Sequence, residues 1–307
     1  MPSMFFDRFR LLSKLGEGSF GKIYKGIDTH TSKLVAIKVE TVKGSSNTQL
    51  KIEAKIYKDL EGTPINKSIR WPKLYNFGKD PKSGNYVMIM DLLGPNIDAL
   101  LSKTKRNCLM PSSVAYLAEK MLTLIEKFHS LGYVHRDLKP QNFVIEYCEH
   151  KYPLYPEVYL IDYGLAKSYV ESDKKTHAPF IQNKSLKGTV RYSSINTHLG
   201  IDQSRRDDMQ ALGYILLYML QGSLPWQNLM KNRDKKEAYH YIMLLKMKCN
   251  AETLTENVHP SIRIPLMSYL LYVNSLMFHE EPKYAYCKSL FSSVASNFTG
   301  NLFKGAI

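Results

Sequence analysis

Residues 15 to 26 read LGEGSFGKIYKG, and the character of the chain on either side of them decides the architecture. Gly16, Gly18 and Gly21 form a G-x-G-x-x-G pattern, which in a dinucleotide-binding fold lies between a strand and a helix. Here both flanks read as strands. In the run KLVAIKVE, 33 to 40, Val35, Ile37 and Val39 alternate with Ala36, Lys38 and Glu40, so Lys38 shares a face with a small residue. A glycine turn between two strands argues against the dinucleotide reading, although a plain hairpin would also explain it.

Outward from that hairpin, NTQLKIEAKIYKDLEG, 47 to 62, predicts a helix with Asn47 as N-cap and Gly62 just past its end. Leu50, Glu53, Tyr57 and Leu60 fall on one helical stripe, which places a carboxylate among apolar residues. Glu53 then needs a cationic partner, for which Lys38 is the candidate, unless it sits at the edge of the stripe and reaches water. YVMIMDLLGPNIDAL, 86 to 100, is a strand predicted to break at Gly94-Pro95, where a lobe boundary is expected. Val114, Leu117, Met121, Leu124 and Phe128 mark a following helix that starts at Ser112 or Ser113 and stops at Gly132. Next comes GYVHRDLKPQNFVIE, 132 to 146, with His, Arg, Asp, Lys and Asn crowded just before an apolar run. Two short strands, NFVIE and VYLID, precede helices that run to about residue 298.

Composition narrows the class. A chain of 307 residues, 44% apolar and 23% charged, is ordinary globular material, near the size at which one core divides into two lobes. The four cysteines, Cys108, Cys148, Cys249 and Cys287, are far apart and read as thiols of a reducing compartment. MPSMFFDRFR has no apolar run of signal-peptide length, so an intracellular protein is expected, cytoplasmic or nuclear. ALGYILLYML, 211 to 220, is too short to span a bilayer and reads as a buried helix. Lys and Arg outnumber Asp and Glu by 42 to 28, a formal net charge of +14. That field suits anionic partners or is simply solvated; no nucleic-acid motif accompanies it.

Phosphoryl transfer from a nucleotide requires a glycine loop over the phosphates, a lysine anchored by a carboxylate, a carboxylate for the attacking hydroxyl, and oxygen ligands for magnesium. The chain offers each in order. GEGSFGKI, VAIK, Glu53, HRDLKPQN and DYG together resemble the protein-kinase signature set, across about 300 residues. The resemblance implies an α+β, bilobal protein-kinase fold, with a small, mainly antiparallel β N-lobe carrying one helix and a larger helical C-lobe. It sets the catalytic domain at 9–298, with the N-lobe over about 9–91, a hinge over 91–95, the C-lobe over 96–298 and a short extension over 299–307.

The same resemblance implies ATP and Mg2+ as cofactors and gives the residues their roles. Asp137 would orient the substrate hydroxyl, and Lys139 would lie beside the transferring phosphate, as in serine/threonine kinases. Asn142 and Asp162 would hold magnesium, and Lys38, paired with Glu53, would contact the α- and β-phosphates. The loop Gly16, Glu17, Gly18, Ser19, Phe20, Gly21 and Lys22 would cover the phosphates. Leu15, Ile23 and Ala36 would sandwich the adenine, with Met90 behind it and the backbones of Asp91 and Leu93 at the ring's edge. Asp208 would support the His135-Arg136-Asp137 backbone, or else cap the helix that follows.

GTVRYSSINTHLGIDQSRRDDMQALGY and GSLPWQ narrow the resemblance to the casein kinase 1 family, in which Ser-Ile-Asn, here Ser194-Ile195-Asn196, replaces the usual Ala-Pro-Glu. That implies a serine/threonine protein kinase, a monomeric catalytic domain acting on protein substrates with acidic or phosphorylated segments, with no obligatory nucleic acid. Two features depart from the pattern. Tyr163 stands where Phe is usual in the magnesium motif, and its hydroxyl needs a partner if buried. Ile181 stands where the family commonly has an Arg that receives a phosphate, leaving Lys184, Lys187, Arg191 and Lys231 as anion-docking candidates. The alternatives are a vaccinia-related-like kinase, whose members also carry Tyr at that place, a pseudokinase or scaffold, a small-molecule kinase, and a basic nucleic-acid-binding module.

Overall fold

The computed structural model describes residues 4–18, 21–41, 48–62, 70–149, 153–171, 176–229 and 234–302. Its first half is a six-stranded antiparallel sheet built from β1 (Met4–Phe5), β2 (Phe9–Gly18), β3 (Gly21–Asp28), β4 (Leu34–Glu40), β5 (Leu74–Lys79) and β6 (Tyr86–Asp91), in the order β1-β2-β3-β4-β6-β5. One helix, α1 (Gln49–Glu61), interrupts it. The second half holds α2 (Ile97–Leu101), α3 (Pro111–Ser130), β7 (Tyr133–Val134), β8 (Phe143–Ile145), β9 (Val158–Leu160) and β10 (Lys167–Ser168). It continues through α4 (Ile195–His198), α5 (Arg205–Gln221), α6 (Lys235–Lys248), α7 (Ala251–Thr255), α8 (Pro260–Ser275) and α9 (Tyr284–Ala295). The architecture is α+β and bilobal.

Alternation in β4 sorts its side chains as the sequence predicts. Val35, Ile37 and Val39 are buried with Phe5, Phe9, Val87 and Ile89 in a small apolar cluster on one face of the sheet. The opposite face faces α1, whose Leu50, Ala54, Ile56, Tyr57 and Leu60 join Met88 and Met90 in the main core, which continues into the helical lobe. That core is centred on α5, in which every residue from Asp207 to Met219 is buried. A helix apolar on all sides belongs in the interior, as the run ALGYILLYML suggests. None of the described helices is long and apolar enough to cross a membrane.

Three predicted boundaries move. Asn47 lies outside the described residues, and the cap of α1 is Thr48, whose side chain accepts from Lys51 N at 3.3 Å. The next long helix starts at Pro111 with Met110 as N-cap, ahead of Ser112 and Ser113, because proline needs no N–H partner in the first turn. Strand β6 ends at Asp91, before Gly94, since the connector turns away to pair with β8: Gly94 N donates to Ile145 O at 2.9 Å and Ile145 N to Pro95 O at 3.1 Å. Only glycine fits there, for a Cβ at Gly94 would lie 2.5 Å from Glu146 O.

Ile37 is fully buried in the smaller cluster. Ile37→Ala is expected to lower the unfolding free energy of the sheet lobe by about 3 kcal/mol, a cavity-forming loss readable by chemical denaturation.

Candidate active site

The seam between the lobes gathers residues from four separate stretches of chain. From β4, Lys38 points off the sheet on the face of Ala36 and is 8% exposed. Its Nζ lies 2.7 Å from Glu53 Oε2 on α1 and 3.0 Å from Asp162 Oδ1 just after β9. Burial works against the ammonium charge, but the two carboxylates outweigh it and hold the lysine's pKa above its usual value. Glu53 is pushed up to about 7, by burial first and by the nearby Asp162 charge, with Lys38 opposing. Burial also opposes ionisation of Asp162, yet Lys38 keeps its pKa below the ordinary carboxylate range. Glu53 is thus inside the stripe, paired as the sequence predicts, rather than at its solvent edge.

The charged loop hangs between β7 and β8, and buried hydrogen bonds set its shape. Asp208, near the start of α5, accepts from His135 N at 2.7 Å, from Arg136 N at 2.9 Å and from His129 Nε2 at 3.0 Å. Although burial favours its neutral form, His129 and the loop bring its pKa below the usual value. The capping alternative for Asp208 fails: the capping box of α5 uses Ser204 and Asp207. His129 is itself held on the other side, with Nδ1 2.7 Å from Tyr284 OH. Arg136 and Asp162 both adopt φ of 66°, a left-handed conformation disfavoured for side chains with a Cβ.

Asp137 is oriented from both sides. Its Oδ1 accepts from the backbone N and the Oγ1 of Thr189, each at 2.7 Å, and its Oδ2 from Lys139 Nζ at 2.6 Å. Asn142 Nδ2 donates to Asp137 O at 2.9 Å, which fixes the amide across the loop. Thr189 can reach the carboxylate because Gly188, at φ +99°, passes so close that a Cβ there would lie 2.3 Å from Arg136 O. Thr189 was not among the residues singled out from sequence. No periodicity marks it, and only the adjacent glycine hints at a close approach.

The glycine turn is a hairpin with Gly16 opposite Ile23, Glu17 opposite Lys22, and Gly18 opposite Gly21; Ser19 and Phe20 lie outside the described residues. Gly21, at φ +148°, leaves no room for a Cβ, which would meet Val39 O at 2.2 Å. Glu17 pairs with Lys14 at 2.6 Å on the exposed surface. Of the predicted adenine contacts, Leu15 is exposed, Ile23 and Ala36 are half-buried, and Met90 stands opposite Ala36 in the strand register. Asp91 N donates to Lys73 O at 3.0 Å, so that backbone donor is engaged, while its carboxylate binds Tyr75 OH at 2.6 Å and Lys33 at 2.9 Å. Leu93 lies two residues on, half-buried in the connector.

The anion-docking candidates are less unified. Lys184 and Lys187 are exposed, Lys231 lies outside the described residues, and the Arg191 guanidinium rests over the rings of Tyr192 and Tyr218 at 5.8 and 5.7 Å. A lysine that sequence reasoning passed over is Lys246 on α6, whose pKa burial pushes well below its usual value. It is 1% exposed, donates to Val190 O at 2.8 Å and Ser193 O at 2.6 Å, and lies against Tyr214 and Trp226. It thereby pins the segment that carries Thr189 to the helical lobe.

A sheet lobe over a helical lobe, with a shielded lysine, a braced carboxylate and an amide at their seam, defines a bilobal kinase fold. The sequence matches the protein kinase domain over residues 9–296, and the chain belongs to that family. Membership supports a phosphotransferase acting on protein substrates and implies ATP with a divalent metal, usually Mg2+.

Asp208 supplies a pH test. A carboxylate whose pKa is depressed on folding stabilises above its unfolded value of about 4, and that contribution fades as pH falls through the folded pKa. Asp208→Asn should lower Tm at neutral pH and flatten the acid limb of the stability profile by up to about 1.4 kcal/mol per pH unit, measured by denaturation between pH 7 and 3.

Proposed function

We propose that the protein is an active serine/threonine kinase of casein kinase 1 type, transferring the γ-phosphoryl group of ATP to hydroxyls of acidic or phospho-primed proteins. The observation that carries this reading is Asp137, buried and clamped between Thr189 and Lys139. A carboxylate fixed in this way can accept the proton of an incoming alcohol without first reorganising. Lys139 supports the serine/threonine assignment, since the resemblance places a lysine there in such kinases and not in tyrosine kinases. Ser194 and Ile195, in place of the more usual Ala-Pro, support the casein kinase 1 type. Ser194 caps α4 by accepting from Thr197 N, and Ile195 N donates to Gln210 on α5 at 2.7 Å.

The residues at the seam fit the groups this reaction needs. Asp162, held ionised beside Lys38, presents a carboxylate suited to a divalent cation. Asn142 spends its amide nitrogen on Asp137 O, so its oxygen is the end suited to a hard cation. Among the described residues no cluster of three His, Cys, Asp or Glu could hold a metal alone. That pattern agrees with magnesium, which takes one or two protein oxygens and completes its shell with water and phosphates. When bound, magnesium supplies positive charge against the phosphate oxygens. Lys38 would hold the α- and β-phosphates, the β2–β3 hairpin would cover them, and Asp137 would aim the hydroxyl. Leu15, Ile23, Ala36 and Met90 offer apolar contact to the base.

Incubation with casein and labelled ATP, followed by identification of the labelled amino acid, tests the reading; label on tyrosine alone, or none, would sink it. Asp137→Asn should lower kcat by about 10²- to 10⁴-fold and leave nucleotide Kd within about twofold, because its work falls on the attacking hydroxyl. Ile181 removes a bidentate phosphate donor from the docking face, so a primed peptide should outperform its unprimed twin only modestly. Matched kcat/KM values for such a pair check this, and equality would refute any preference for primed substrates.

A further inference from the structure

We infer that Tyr163 is a positioning residue for Asp162, its hydroxyl fastening the turn that aims this carboxylate into the cleft. The inference rests on the reading of Asp162 as a metal ligand and extends it to a residue that touches neither metal nor nucleotide.

The turn begins at Leu160, the last residue of β9, which is held opposite Phe143 in the β8–β9 pair. Three residues later the Tyr163 ring is wholly buried, stacked on Phe128 at 5.1 Å and edge-on to Tyr57 at 4.9 Å. Its hydroxyl returns across the turn and donates to Leu160 O at 2.5 Å. Both ends of the segment are therefore anchored, and one hydrogen bond links them.

Between these anchors Asp162 adopts φ 66° and ψ 67°, the left-handed region that an aspartate occupies only under constraint or local bonding. Relaxing toward an ordinary conformation would swing its side chain away from Lys38, now 3.0 Å distant. A link from Leu160 to Tyr163 opposes that relaxation directly because Asp162 lies between its ends. A phenylalanine would keep the same ring contacts with Phe128 and Tyr57 and lose only this link. Ring packing and carboxylate placement can therefore be separated by deleting one oxygen.

The experiment compares wild type and Tyr163→Phe by calorimetry, titrating ADP with and without Mg2+, and follows amide hydrogen exchange over residues 160–165 in the nucleotide-free protein. The expected result is that the gain in ADP affinity on adding Mg2+ falls about fivefold in the variant, the size of one neutral hydrogen bond. Metal-free ADP affinity should be unchanged, and exchange over the turn faster. An equal Mg2+-dependent gain in both proteins overturns the inference while leaving the kinase reading intact. So does a matching fall in metal-free affinity, which would mean a general loosening of the cleft. A wild type that shows no Mg2+-dependent gain overturns both.

Discussion

A lysine held almost out of water between two carboxylates is the interaction on which the rest of the structure depends. Removing such a cation from solvent is costly unless its charge is answered at close range. Glu53 and Asp162 provide the answer from opposite lobes: one rides on α1, the other follows β9. The sheet can therefore bury Lys38 only while α1 is pressed inward and the turn after β9 is seated. The ion pair reports the relative placement of three elements, and the apolar stripe of α1 supplies the burial that keeps them there.

A second constraint concerns the loop that carries Asp137. Its backbone includes a non-glycine residue in left-handed conformation, which a solvated loop would not hold unaided. Asp208 resolves this by accepting two consecutive loop N–H groups, and the buried helix α5 makes that acceptor rigid. On the other side of Asp137 the segment bearing Thr189 is tied down by Lys246, a buried amine that donates to the carbonyls of Val190 and Ser193. The reacting end of the site is thus fixed mainly through backbone contacts, which depend on shape more than on any one side chain.

These two constraints explain what could be read from the sequence. Alternation in KLVAIKVE and the stripe Leu50, Glu53, Tyr57, Leu60 carry their own periodicities, so the Lys38–Glu53 pair was legible before any coordinates. Asp208 was legible through its place in the family pattern, and Tyr163 because a buried hydroxyl announces its need of an acceptor. Thr189 and Lys246 were not. Each acts through main-chain atoms distant in sequence, and neither residue type nor spacing records where a remote carbonyl or N–H will lie. Boundaries moved for a similar reason: β6 stops at Asp91 because of pairing with β8, a contact across more than fifty positions of chain.

The hydrogen-bonded line from Asp208 through His129 to Tyr284 carries a consequence for how this domain can be divided. Tyr284 opens α9, the last helix among the described residues, yet its hydroxyl bonds the imidazole that joins Asp208 beneath the loop carrying Asp137. A fragment ending before that helix would keep every residue proposed to face ATP and still lose the hydroxyl bonded to His129. The brace beneath the Asp137 loop therefore reaches to the far side of the core, well past the last residue of the cleft in sequence.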